Sequence, residues 1–220
     1  MIIPVKAVIF DFDGVVAETL SWHVKAWNIV LARHHIQLTD LDIAVEEGAG
    51  AQDIIRKILH QKNIDITEHS LQELVALKRR TYKDISKACV YPETAAFIRE
   101  LKDRGFRLAL ATGSVPEAIR LVAGTEVLTY FETIVTSLDV THTKPAPEGF
   151  LLAARRLEIS PEECLVIENA PNGVRAAKSA GMHCVALRTT IQDDSILSAA
   201  DHIIDHVSDF KFDSKSRLIL

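Results

Sequence analysis

Three cysteines in 220 residues, with no Cys-x-x-Cys pair among Cys89, Cys164 and Cys184, leave little for a disulfide framework or a thiolate metal site. With no signal peptide read at the start, they are expected to be buried, reduced thiols of a cytoplasmic protein. No apolar run approaches the roughly 20 residues that a membrane span needs. Nor is there a basic block, and at a net charge of -5 nucleic acid is a poor partner. An anionic substrate must therefore be held by local cations. Low-complexity tracts and internal repeats are missing too. What the chain does have is apolar residue, 48% of the total, enough to bury one core or a core with one insertion. A monomer is the default expectation.

The most telling segment is Val5-Lys6-Ala7-Val8-Ile9-Phe10 followed at once by Asp11-Phe12-Asp13-Gly14. It reads as a buried strand that ends in two carboxylates. Strand side chains alternate faces, so Asp11 and Asp13 point the same way and Phe12 the other. Two like charges so close need a cation or a shared proton to relieve them. In open parallel sheets, ligands gather at the carboxyl ends of strands, where this pair falls. Capping of a following helix is the ordinary role for such residues.

From Leu20 to about Ala88 the pattern is helical, carried by Leu20, His23, Val24, Trp27 and Val30, then Ile54-Ile55 with Ile58-Leu59, then Leu71, Leu74-Val75 and Leu77-Lys78. Tyr91-Pro92 stops it. Beyond lie a helix over 94–104, a strand over 106–111, a helix over 115–123, a strand over 133–136 and a helix over 147–157. A strand over 164–167, a helix over 172–180, a strand over 183–187 and an edge strand over 201–207 complete the series. Strands alternating with helices predict an α/β protein, a Rossmann-like parallel sheet core with helices on both faces. The helical block reads as an inserted all-helical cap domain, residues 17–89, within a core of residues 1–16 and 90–220. The hinges are placed at 15–20 and 88–93.

Three more strand ends carry reactive groups. Ala111-Thr112-Gly113-Ser114 precedes a helix with Pro116 in its first turn, a place where hydroxyls and free N–H groups can hold an anion or simply cap. Thr143-Lys144-Pro145-Ala146-Pro147-Glu148 sets a lysine at the head of a helix, where the dipole disfavours it and an anionic partner would not. A solvated turn lysine is the plainer alternative. Glu168-Asn169-Ala170-Pro171-Asn172-Gly173 offers hard oxygen donors of the kind Mg2+ takes with waters and phosphate oxygens, or else another cap.

Together, the order DFDG, TGS, KPAPEGF and ENAPNGVRAAKSAGM resembles the haloacid dehalogenase superfamily over nearly the whole chain. The helical insertion resembles the cap of its subfamily I. The stretch with Thr19, His23 and Trp27 is similar to the β-phosphoglucomutase group and its phosphatase relatives. The resemblance implies that Asp11 is a nucleophile forming an aspartyl-phosphate and that Asp13 is the general acid and then base. It implies that Thr112 and the N–H groups of Gly113 and Ser114 hold the phosphoryl group, and that Lys144 bridges nucleophile and phosphate. It implies Mg2+ held by Asp11, the Asp13 carbonyl and Glu168 or Asn169. Phosphoryl transfer is largely positioning and charge stabilisation, which such groups supply. The expected activity is Mg2+-dependent hydrolysis of a small phosphorylated metabolite, most plausibly a sugar phosphate. A hexose-phosphate mutase is the rival, and a non-catalytic metabolite sensor on the same fold a third reading.

The chain departs from the family pattern in three places. Asn169 stands where aspartate is usual, removing one charge from the metal site. Thr143 precedes Lys144 where glycine is frequent, expected to be a minor loop change. The cap loop Glu47-Gly48-Ala49-Gly50-Ala51-Gln52 has alanine, Ala51, where the mutase has an arginine for its second phosphate. That speaks for phosphatase over mutase. Thr19, His23, Trp27, Gly48 and Gln52 are the candidates for substrate contact from the cap, with core packing the alternative for His23 and Trp27. Lys78, Arg79, Arg80 and Lys83 are expected to form a solvated basic face, with one member able to reach substrate on closure. His202 and His206 lack a third ligand for zinc, and His34-His35 read as an exposed helix end.

Overall fold

The apolar run near the start of the chain becomes the strand Ala7–Phe10, every residue of which is buried, and the sheet is built outward from it. In the computed structural model, which describes residues 2–3, 5–215 and 217–220, six strands form this sheet. From edge to edge they are Thr133–Val135, Arg107–Ala111, Ala7–Phe10, Cys164–Glu168, His183–Leu187 and His202–Ile204. Every neighbouring pair is parallel. The chain adds strands on one side of Ala7–Phe10 and then on the other. The topological switch point, with its crevice, therefore lies between Ala7–Phe10 and Cys164–Glu168.

Both faces of the sheet are covered. Ala7, Ile9, Ala109, Ala111 and Val166 pack on one side, and Val8, Phe10, Leu108, Leu110 and Ile167 on the other. Burial on two faces is why these strands read as continuous apolar runs rather than alternating ones.

Four helices precede the second core strand: α1 (Leu20–Leu31), α2 (Asp40–Ala44), α3 (Ala51–Gln61) and α4 (Glu68–Ile85). α4 packs along α1 and α3, and α2 packs on α1. Ile54, Ile55, Ile58 and Leu59 form the buried face of α3, and Leu71, Leu74, Val75, Lys78 and Tyr82 that of α4. Lys78 thus lies on the apolar stripe and is buried, contrary to the solvated face expected for it; Arg79, Arg80 and Lys83 are exposed. Where the chain enters and leaves this block, Ala17–Glu18 and Cys89–Val90 pair as a short antiparallel ribbon. Nothing along the chain announces this ribbon, since two residues are too few to show periodicity. A second unforeseen sheet joins Ile2–Ile3, Leu218–Ile219 and Lys211–Phe212.

The remaining helices are α5 (Pro92–Asp103), α6 (Pro116–Ala123), α7 (Glu148–Leu157), α8 (Pro171–Ser179) and α9 (Asp194–Leu197). α5, α6 and α8 open on proline, whose missing N–H would be unpaired in the first turn anyway. Boundaries of these helices differ from the sequence reading by a residue or two: α5 and α8 start on their prolines earlier than expected, and α6 one residue later. The last strand is shorter than expected, His202–Ile204, and a 3-10 turn Val207–Asp209 follows. Cys89 is exposed, correcting the expectation that all three thiols are buried. No helix among the described residues is long and apolar enough to cross a membrane.

Candidate active site

Asp11 prolongs the central strand by one residue, donating its N–H to the Ile167 carbonyl at 3.0 Å. That pairing brings its carboxylate beside Glu168, which ends the adjacent strand, and Lys144 lies between the two. The Lys144 ammonium bonds to Asp11 Oδ1 and, at 2.6 Å, to Glu168 Oε1, and all three residues are buried. The second oxygen of Glu168 accepts the N–H groups of Asn169 (2.7 Å) and Ala170 (3.0 Å) at the head of α8. Glu168 is therefore a fixed anchor for Lys144. Burial alone would discharge this lysine, but Asp11 and Glu168 outweigh it and hold the ammonium above its usual range.

Gly173 makes room for this arrangement. A Cβ at this position on α8 would overlap the Glu168 carboxylate. Gly173→Ala should displace Glu168, lower stability by about 1–3 kcal/mol and lower activity with it. Thermal melting beside a phosphate-release assay checks this, and an unchanged melting temperature would contradict it.

Asp13 is held from three directions. Ser114 Oγ donates to it at 2.7 Å, Thr112 Oγ1 lies at 3.4 Å, and His23 Nε2 reaches it from α1 at 3.4 Å. Burial opposes ionisation, but the bonds from His23 and Ser114 prevail and keep the carboxyl below the ordinary range. Behind His23 stands Lys78, whose ammonium meets Nδ1 at 2.7 Å, while Tyr82 stacks on the ring at 4.3 Å between centroids. Lys78 donating to Nδ1 leaves the proton of a neutral imidazole on Nε2, facing Asp13. Burial and the nearby Lys78 charge lower the His23 pKa, in keeping with that neutral form. Lys78 itself is pushed down to about 8 by burial.

Several expected site residues do other work here. The Ser114 N–H goes to Thr112 Oγ1 at 2.9 Å rather than standing free. Thr19 is fully buried close to Asp13. Trp27 is buried inside the helical layer, with the Lys78 ammonium 5.5 Å from its ring. Gln52 turns to Glu68. Gly48 lies against Lys144: its φ of +86° favours glycine, and a Cβ would come within 2.6 Å of Lys144 Cδ.

Two of the departures from the family pattern, Asn169 and Thr143, tie the Glu47–Gly50 loop to the core. Asn169 Nδ2 donates to Glu47 Oε2 at 2.9 Å and to Thr190 Oγ1 at 2.8 Å. The Gly50 N–H donates to Thr143 Oγ1 at 3.1 Å, so Thr143 is more than a minor loop change. Burial, with Asp13 and Asp11 close by, raises the Glu47 carboxyl well above its usual range. Asn169 Oδ1 and Glu47 Oε1 are buried without a hydrogen-bond partner, the kind of gap that an ion or water fills.

Among the described residues no three His, Cys, Asp or Glu side chains form a ready metal cluster, His202 and His206 included. The oxygen set that can take a hard cation is of another kind: the Asp11 carboxylate, the Asp13 main-chain carbonyl and the Asn169 amide oxygen, completed by water. The unpartnered Asn169 Oδ1 is the observation that fits a cation to this place. A small cavity of about 20 Å³ lies beside Lys144, lined also by Gly48, Thr112, Gly113, Thr136 and His142, with room for a water.

A family profile for haloacid dehalogenase-like hydrolases matches residues 5–181. The chain is 31% identical to the fructose-1-phosphate phosphatase YqaB of Escherichia coli, over 82% of its own length and 95% of that protein. It is 32% identical to the β-phosphoglucomutase of Bacillus subtilis, over 93% and 91% of the two chains. Among solved structures, a putative β-phosphoglucomutase from Bacteroides vulgatus superposes with a TM-score of 0.81 at 28% identity, covering 92% of this chain and 84% of that one. With four motifs converging at one end of the sheet, this chain belongs to the haloacid dehalogenase-like hydrolase family.

Proposed function

We propose that this protein is a Mg2+-dependent phosphatase of small phosphomonoesters, sugar phosphates first among them, working through an aspartyl-phosphate on Asp11. The observation that carries this is the pairing at one strand end of a buried carboxylate gripped by lysine with a second carboxylate held by a hydroxyl and an imidazole. The first fits a nucleophile and the second a proton carrier.

In the first step an Asp11 oxygen attacks phosphorus in line and the bond from phosphorus to the ester oxygen breaks. Asp13 supplies the proton that this poor leaving group needs. Its pKa is low in the free protein, and the negative charge of a docked phosphoryl group raises it. Lys144 and Thr112 neutralise and orient the phosphoryl oxygens. In the second step Asp13 takes a proton from water, the water oxygen attacks phosphorus, and the bond to Asp11 breaks, releasing inorganic phosphate. Mg2+, when bound, offsets charge between Asp11 and the phosphoryl group. His23 fixes Asp13, and Lys78 fixes His23. Residues 17–89 act as a cap that opens on the 15–20 and 88–93 hinges, since Gly48 packs closely on Gly113 and Lys144 and must part from them to admit substrate.

The test is phosphate release from a panel of sugar phosphates and other phosphomonoesters, with Mg2+ and with chelator. Release is expected with Mg2+ only. The similarity to a β-phosphoglucomutase favours mutase activity as the second reading. The cap loop offers it no cation: Ala51 is neutral, and Arg56 further along α3 is engaged by Asp53 and Glu68, both at 2.9 Å. Isomerisation of a hexose 1-phosphate on addition of a bisphosphate primer, without phosphate release, would establish the mutase instead.

A further inference from the structure

We propose that the cap carries one carboxylate of the cation site: Glu47 supplies from above the negative charge that Asn169 omits, so that cation binding and cap closure are one linked equilibrium. This rests on the cation reading given above and goes beyond it.

Three observations converge on Glu47. It is buried, only 6% exposed, although it lies in a loop between two helices. One of its oxygens accepts from Asn169 and the other has no partner. It also feels the charges of Asp11, Asp13 and Glu168, which places it at the site rather than on the surface. An unpaired carboxylate oxygen in such a place is costly unless something positive meets it. Among the described residues, Asp11, Asp13, Glu47 and Glu168 share this enclosed space with Lys144 and Lys78 as cations, and a dication is the natural balance for the surplus of carboxylates.

The asparagine then has a reason. An amide can donate to Glu47 and Thr190 with its nitrogen, and doing so turns its oxygen toward the cation site. An aspartate could not donate and would repel Glu47. The other departure from the family pattern points the same way, because Thr143 accepts from the Gly50 N–H three residues along the loop. Both unusual core residues hold the same stretch of cap, and both bonds exist only when the cap is closed. By linkage, a cation that favours the closed form must bind more tightly to it.

The experiment is Mg2+ titration of the substrate-free protein by calorimetry, with hydrogen exchange at residues 47–50 followed in parallel. In the unaltered protein Mg2+ should bind and slow exchange at the Gly50 N–H. Glu47→Gln, nearly isosteric, should weaken Mg2+ binding by about 10–100-fold and abolish the Mg2+-dependent protection. Adding Asn169→Asp to Glu47→Gln exchanges the amide and the carboxylate, so the bond between the two positions re-forms in the opposite sense and most of the affinity and of the protection should return. Mg2+ affinity and protection unchanged in Glu47→Gln would overturn the proposal while leaving the phosphatase reading intact. No Mg2+ binding by the unaltered protein would overturn both the cation reading and the linkage. Circular dichroism of each variant separates these outcomes from loss of fold.

Discussion

Replacing Asp11 by asparagine is expected to lower phosphate release by about 10⁴-fold or more while leaving the chain folded. An amide cannot form the acyl phosphate, and the remaining groups can only position substrate and water. The same change should have an opposite effect on stability in chelator. Burial pushes the Asp11 carboxyl up to about 8, against the pull of Lys144 and with Glu168 and Asp13 adding to it. A folded-state pKa above the ordinary 3.8 means that the folded protein holds this proton more tightly than the unfolded one. The group's contribution is then complete below about pH 4 and is lost as pH rises toward about 8. Asp11→Asn removes that liability. It should melt above the unaltered protein at pH 8 without metal, with the difference narrowing toward pH 4. Phosphate release within tenfold of the unaltered rate would sink the nucleophile assignment.

Lys144→Met is the second large effect, and it strikes activity and stability together. The ammonium is the shared partner of Asp11 and Glu168, and both are buried. Removing one partner of a buried ionic group typically costs about 3–5 kcal/mol, because the charges left behind are unpaired. For a chain of this length that corresponds to a fall of roughly 6–20 °C in Tm. The deficit should be greatest at pH 8 and above and shrink as pH falls, where the two stranded carboxylates take up protons. Activity should fall by at least about 10²-fold, the scale of losing one preorganised charge at a phosphoryl oxygen. Melting curves at pH 5 and pH 8 with a phosphate assay decide it. A variant as stable as the unaltered protein at pH 8 would mean that Lys144 is not the counter-ion that its position indicates.

Much of the core site could be read directly from the chain. Asp11, Asp13, Thr112 and Lys144 each follow an apolar run or head a helix, and the rule that parallel strands present their ends together puts such residues in one place. The strands themselves were legible because burial on both faces makes their runs continuous. Lys78 carried two conflicting signals: its helical spacing from Leu71, Leu74 and Val75 marks a buried position, whereas its basic neighbours Arg79, Arg80 and Lys83 suggest a solvated face, and burial is what folding chose. Gly173 left none, since its constraint comes from the Glu168 carboxylate folding back on α8.

The reacting groups and the sheet that assembles them were legible along the chain, because strand period, apolar runs and helix starts are local properties. The tertiary structure alone decided which partner each group takes. Glu168 became the anchor of Lys144 because parallel pairing of adjacent strands sets it beside Asp11. His23 became a brace for Asp13 through a lysine 55 residues away. Glu47 met Asn169 across 122 residues, and Gly50 met Thr143 across 93. Such contacts depend on how the helical layer docks on the strand ends, and docking is a property of surfaces brought together by folding, with no period or motif along the chain to announce it.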